Sequence, residues 1–201
     1  MKVFIFDTET TGFPVRDGTI EEQPYIVQFA GILIDIDPTT GAYTELDRID
    51  ELVRPRVPIP FGASSIHGIY DRDVADKPYI EERMDMFLRY LNTADAVVGH
   101  NVEFDETIIA GELARLGRSG DYQPMKSLCT MRLSTDHCQL QGRGFSFKPP
   151  KLSELHSHLF GEWFSGAHNA MVDVEATTRS FAELVKRKVI VLEENSVMRL
   201  F

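Results

Sequence analysis

The chain opens MKVFIFDTETTGF, and the apolar run Val3 to Phe6 leads into two carboxylates, Asp7 and Glu9. Side chains alternate along a strand, so both acids point to the same side. Two anions on one face repel each other unless a cation lies between them. Taken alone, the pair is equally consistent with a strand end reaching solvent.

Two further stretches carry acids in similar settings. In VVGHNVEFDETII a short buried strand ends at Gly99, and a helix is expected from about Val102, with Asn101 chemically suited to cap it. Asp105 falls in the first turns of that helix, where negative charge is favoured, and Phe104 is expected to pack inward. In AHNAMVDVEAT, His168 precedes a second helix and Asp173 lies about one turn inside it. Asp173, Thr177 and Ser180 share a polar stripe there, while Val172, Ala176, Leu184 and Val185 form the apolar side. Each acid by itself is ordinary.

Together they make a constellation of four carboxylates from one strand and two helices, with a histidine on a loop. At ~4 Å and an effective dielectric of about 20, each like-charge pair costs roughly 4 kcal/mol. Divalent cations reverse that sign. Donors that are all oxygens suit Mg²⁺ or Mn²⁺ better than Zn²⁺. Two such ions about 3.5–4 Å apart would stabilise both the attacking and the leaving oxygen of a phosphoryl transfer. His168 has the pKa range to take a proton from water at neutral pH.

These residues need a scaffold, and the pattern supplies one. KVFIF reads as a strand buried on both faces. YIVQFAGILIDI reads as a second strand, DPTTGAY as a turn, and DELVRP as the end of a third strand, an antiparallel meander. PRVPIPFG is extended, and SSIHGI is turn-rich. Met84, Phe87, Leu88 and Leu91 share one helical stripe. MKSLCTM is a short strand, and KLSELHSHLF a helix with His156 and His158 expected on its surface. The last helix runs from about Asn169 to Arg187. Strands first, then alternating strands and helices, predict an α/β chain with a mixed sheet, antiparallel over its first three strands and parallel after them.

The length of 201 residues fits one domain over 1–188, with a tail over 189–201 expected to pack on it. The 21 basic against 31 acidic residues, formal charge −10, argue against a broad surface for non-specific duplex binding. No window approaches the ~20 apolar residues of a membrane span. Cys129 and Cys138 lack metal-ligand spacing and read as packed thiols of a cytoplasmic protein.

Three segments make the chain resemble the DnaQ-like 3′–5′ exonucleases of the DEDDh type, the family of polymerase III ε-type proofreaders: DTETTG (Asp7 to Gly12), HNVEFD (His100 to Asp105) and HNAMVD (His168 to Asp173). SSIHGI and KPPKLSEL also look like segments of that family. The sister type carries a tyrosine where Asn169 stands. The resemblance implies an RNase H-like fold with helices on both sheet faces. It implies that Asp7, Glu9, Asp105 and Asp173 bind two metal ions, Asp7 touching both, and that His168 activates the attacking water. It implies nucleoside 5′-monophosphate products, and substrate contacts at Thr10, Phe13, Ile66 and His67, with Asn101 a cap first and a substrate neighbour second. His67 also reads as a helix-start residue, and His100 as a loop support rather than a ligand. Phe145 and Phe147, interleaved with Arg143, Lys148 and Lys151, fit either a single-strand grip or a core-anchored loop. The ending VMRLF only loosely fits the clamp-docking tails of some proofreaders. The resemblance leaves DNA against RNA open, with single-stranded DNA 3′ ends favoured, and leaves open whether a DNA polymerase is a partner. Haloacid-dehalogenase phosphatases also place an Asp after a first buried strand, but they need a second Asp where Glu9 stands. An RNA-trimming enzyme of the same fold, and a binding module without catalysis, are the remaining alternatives.

Overall fold

The computed structural model describes residues 1–142, 144, 146–164 and 169–192. Its frame is a five-stranded sheet in the order β3-β2-β1-β4-β5. The strands are β1 (Lys2–Thr10), β2 (Ile26–Ile36), β3 (Tyr43–Leu52), β4 (Ala96–Gly99) and β5 (Ser127–Cys129). β1 pairs antiparallel with β2, and β2 with β3, whereas β1–β4 and β4–β5 are parallel. That is the expected mixed sheet. The helices are α1 (Phe61–His67), α2 (Asp71–Val74), α3 (Met84–Thr93), α4 (Val102–Arg115), α5 (Thr130–Leu133), α6 (Thr135–Cys138), α7 (Leu152–Phe160) and α8 (Ala170–Lys186).

β1 lies mid-sheet and is covered on both faces, which is why its sequence is apolar at consecutive positions. Its odd residues Val3 and Ile5 pack with Val174, Phe181 and Leu184 of α8 and Leu155 of α7. Its even residues Phe4 and Phe6 pack with Phe87 of α3 and Ile108, Ile109 and Leu113 of α4. An aromatic stack fills that second core: Phe29 lies 4.1 Å from Phe87, and Phe4 5.1 Å from Tyr90, centroid to centroid. A third, smaller cluster of Val27, Ile59, Ile69 and Val74 seats α1 and α2.

Three local expectations need correction. SSIHGI is largely helical: it ends α1, with His67 as the last residue and Gly68 at φ 75°, the left-handed conformation that closes many helices. Thr177 and Ser180 face the interior, both buried, because α8 packs on the sheet over more than its apolar stripe. His156 is only 1% exposed, its Nδ1 at 3.1 Å from the Glu162 carbonyl, while His158 does lie on the surface. Phe104 packs against the aromatic core as expected, and Asp105 beside it is buried too, at 2% exposure. In the tail, Ile190 and Leu192 are buried in the core of the α8 face; residues 193–201 lie outside the described residues. Cys129 and Cys138 are buried free thiols. No helix among the described residues is long and apolar enough to cross a membrane.

Gly31 shows how tightly the aromatic core is set. A methyl group there would overlap the ring of Phe4, which Phe6, Phe29 and Tyr90 hold in place, and would sit 3.0 Å from the Ile5 carbonyl. Gly31→Ala is expected to cost about 1–3 kcal/mol, read as a lower urea midpoint at unchanged slope. An unchanged midpoint would mean that the Phe4 ring has room to move.

Candidate active site

β1 outruns its parallel neighbour, and the site is built on the difference. Pairing with β4 covers Val3 to Ile5, whereas β1 runs on to Thr10. The amide of Lys2 faces the β4 side, where it meets Asp95. Thr8, an even number of residues on, presents its amide to the same side with no strand left to receive it. The carboxylate of Asp105, in the first turn of α4, takes that place: its Oδ1 accepts from the Thr8 amide at 2.9 Å and from the Thr8 hydroxyl at 2.7 Å.

Asp7 and Glu9 continue the row of Val3 and Ile5 toward α8. That helix begins with Asn169 as its cap, the side chain accepting from the Val172 amide at 3.3 Å, and places Asp173 in its first turn. Gln28, opposite Glu9 in the sheet, steadies the same helix start. Its Oε1 accepts from the Ala170 amide at 3.4 Å and its Nε2 donates to Asp50 at 2.7 Å. One carboxylate oxygen from each of Asp7, Glu9 and Asp173 lies within 4.8 Å of the others.

The electrostatics follow from this crowding. Burial, and then the charges of Asp105, Glu9 and Asp173, hold the Asp7 carboxyl well above the usual range. Burial with Asp173 and Asp105 pushes Glu9 up to about 8. Burial raises Asp105 to about 7 against the opposing hydrogen bonds from Thr8. The donors are all carboxylate oxygens in mutual repulsion, which fits a hard divalent cation such as Mg²⁺ or Mn²⁺.

Beside the carboxylates lies a cleft of about 590 Å³ walled by Glu9, Thr10, Gly12, Phe13, Pro60, Ala63, Ile66, His67 and Phe104, among others. Phe13 is 76% exposed at its rim and meets Phe104 edge-on at 6.0 Å. His67 is buried; its Nδ1 accepts from the Ile69 amide at 3.0 Å, which leaves the ring proton on Nε2.

Residues 4–181 match the family described as Exonuclease, of RNase T type. The chain belongs to the exonuclease family. A DNA polymerase III subunit epsilon-like protein of Rhodobacter capsulatus is 33% identical over 118 residues, which cover 58% of this chain but 15% of that protein. DNA polymerase III subunit epsilon of Pasteurella multocida is 24% identical over 95% of this chain and 71% of its own length. A solved structure of Exonuclease X in complex with 5′-overhanging duplex DNA superposes with a TM-score of 0.62 at 23% identity, over 92% of each chain. The fold of this exonuclease is the RNase H-like one.

Among the residues singled out from sequence, the exonuclease brings Asp7, Glu9 and Asp173 into one cluster, with Asp105 close enough for its charge to act on both Asp7 and Glu9. Thr10, Phe13, Ile66 and His67 line the cleft. Asn101 is not among its walls, and it does not cap α4 through its side chain: at φ 77° it is left-handed, turning the chain from β4 into the helix. His100 supports the loop, its Nδ1 at 3.0 Å from the Thr130 hydroxyl and its Nε2 at 3.0 Å from the Pro150 carbonyl. Lys148 is paired with Glu154 at 2.6 Å. His168, Arg143 and Phe145 lie outside the described residues. Thr8 and Gln28 went unnoticed in the sequence. Strict alternation along β1 would have placed Thr8 on the face opposite Asp7, and a lone polar residue in YIVQFAGILI was the sign of Gln28.

Two measurements probe this arrangement. Burial depresses His100 to about 4, whereas an unfolded chain carries the imidazole near 6.5. The unfolded state therefore takes up the proton first, and stability complete above about pH 6.5 is lost as pH falls toward 4. His100→Gln should flatten the fall in urea midpoint over that window; an equal fall would remove His100 as its source. In EDTA, Glu9→Gln should raise the melting temperature by relieving repulsion, and should shrink the stabilisation that added Mn²⁺ confers on the wild type. No Mn²⁺ effect on the wild type would refute the metal assignment.

Proposed function

We propose that this exonuclease removes nucleotides one at a time from the 3′ ends of nucleic acid, single-stranded DNA foremost, and releases nucleoside 5′-monophosphates. One observation carries the reading: Glu9 belongs both to the carboxylate cluster and to the wall of the apolar cleft. A terminal nucleoside held in the cleft presents its phosphodiester to the carboxylates.

Asp7, Glu9 and Asp173, with Asp105 beside Asp7, would hold two divalent ions, Mg²⁺ or Mn²⁺. Bound there, such ions supply positive charge against the negative charge that develops at the phosphate during hydrolysis. The protein's own groups do the rest. The backbone around Thr10 receives the terminal sugar. Ile66 and the apolar wall exclude water from the sugar and base, and Phe13 stacks against a base at the rim. His67, its proton held on Nε2, faces the same nucleotide. His168 takes a proton from the attacking water. The ε-subunit names of the relatives support a place beside a DNA polymerase as a proofreading partner.

The test is digestion of matched DNA and RNA oligonucleotides with Mg²⁺ or Mn²⁺. A 3′ label should appear at once as mononucleotide, a 5′ label should shorten as a ladder, and EDTA should stop both. His168→Ala should slow release roughly 10²–10⁴-fold and leave stabilisation by Mn²⁺ in place. Release from 5′ ends, or equal loss of Mn²⁺ stabilisation in the variant, would contradict these assignments. Faster digestion of the RNA would move the substrate to RNA.

A further inference from the structure

Phe13 sits near the start of an arm, residues 11–25, that leaves the end of β1 and returns to begin β2. The arm is closed on itself. The Thr11 amide donates to the Tyr25 carbonyl at 2.9 Å, and the Tyr25 amide to the Thr11 hydroxyl at 2.9 Å. Gln23 ties the returning half to the outgoing half, accepting from the Val15 amide at 3.0 Å and donating to the Val15 carbonyl at 2.9 Å.

Its base is pinned to α4 by a charged pair that the exonuclease reading leaves unused. Arg115 lies with its guanidinium 3.7 Å from the Tyr25 ring centroid and donates to the carbonyls of Gln23 and Pro24, the latter at 3.0 Å. Its Nη1 pairs at 2.8 Å with Oε2 of Glu112, whose side chain is 1% exposed. The other oxygen of Glu112 accepts from the Ile26 amide, the next residue of the returning chain, at 2.8 Å. A buried ion pair is a weak source of stability, since desolvation offsets much of its attraction. It is a good source of fixed geometry, and here every bond it makes outside α4 ends on residues 23–26.

The same helix carries Asp105 and Phe104. α4 therefore holds one carboxylate of the site, one wall of the cleft and the root of the arm that bears Phe13. We propose that Arg115 and Glu112 are positioning residues that set the arm against the cleft and so govern how tightly the terminal nucleotide is gripped. This rests on the exonuclease reading for its substrate. Neither residue lines the cleft or belongs to the carboxylate cluster, so their removal should weaken grip while leaving the chemical step alone.

The test is Arg115→Met in the full chain. KM for a 3′-ended oligonucleotide should rise about 10-fold while kcat stays within about twofold and stabilisation by Mn²⁺ is unchanged. Arg115→Lys, which keeps the charge but not the fork, should fall between, and it serves if the Met variant does not fold. In a Phe13→Ala background the effect of Arg115→Met should shrink below about twofold, because the arm then has little left to position. Amide exchange over residues 10–25 should speed up in Arg115→Met, a readout that needs no activity. An unchanged KM, an equal loss of kcat, full additivity with Phe13→Ala, or unchanged exchange of the arm would each overturn the proposal. A wild type that releases no nucleotide would overturn the exonuclease reading instead, and arm exchange would still decide whether Arg115 holds the arm.

Discussion

Carboxylates do not gather in a half-buried space without cause, and at the end of β1 they gather because the backbone leaves them little choice. Asp7 and Glu9 share a face by strand geometry. α8, docked through Val174, Phe181 and Leu184, brings Asp173 to the same face. Asp105 is held beside them because the Thr8 amide, left without a strand partner, donates to it. Burial first, and then the charges of the neighbouring acids, raises the pKa values of Asp7 and Glu9, while burial outweighs the Thr8 hydrogen bonds at Asp105. Apolar packing on both sheet faces supplies the stabilisation that tolerates this crowding, and a cation chemistry that cancels the repulsion gives it a use.

The two cores have distinct duties. The face bearing α7 and α8 fixes the separation between Asp173 and the β1 acids, and Gln28 fine-tunes it by tying the first amide of α8 to β2. The face bearing α3 and α4 is stacked with aromatic rings, which adapt poorly to changes of volume, as Gly31 beneath Phe4 shows. Rigidity there matters because α4 reaches both the carboxylates and, through Arg115 and Glu112, the arm that carries Phe13. The cleft lies between those fixed points and α1, whose residues Ala63, Ile66 and His67 complete its wall.

Sequence patterns lead to the family and the acids for a clear reason. Spacing along a strand or within a helix turn is local, and local spacing determines which side chains share a face. The three motifs, the strand order of the opening meander and the stripe Met84, Phe87, Leu88 and Leu91 were all legible in that way. Errors arose where a residue's environment is set by another part of the chain. His156 and Ser180 look like surface residues in their helices, and both are buried by what packs on them. Asn101 has the chemistry of a cap but is spent on a left-handed turn.

By itself, then, the sequence determined the strands of the opening meander, the long helices, which acids share a local face and the membership of a family of exonucleases, since each rests on spacing within short stretches of chain. Only the tertiary structure decided that the Thr8 amide and hydroxyl hold Asp105 beside Asp7, that the cleft shares Glu9 with the cluster, and that Arg115 and Glu112 root the arm. Those facts depend on contacts between residues far apart in the chain, such as Ile26 with Glu112, 86 positions apart, and Thr8 with Asp105, 97 apart. Such distant contacts exist only once the sheet has formed and both of its faces have been covered.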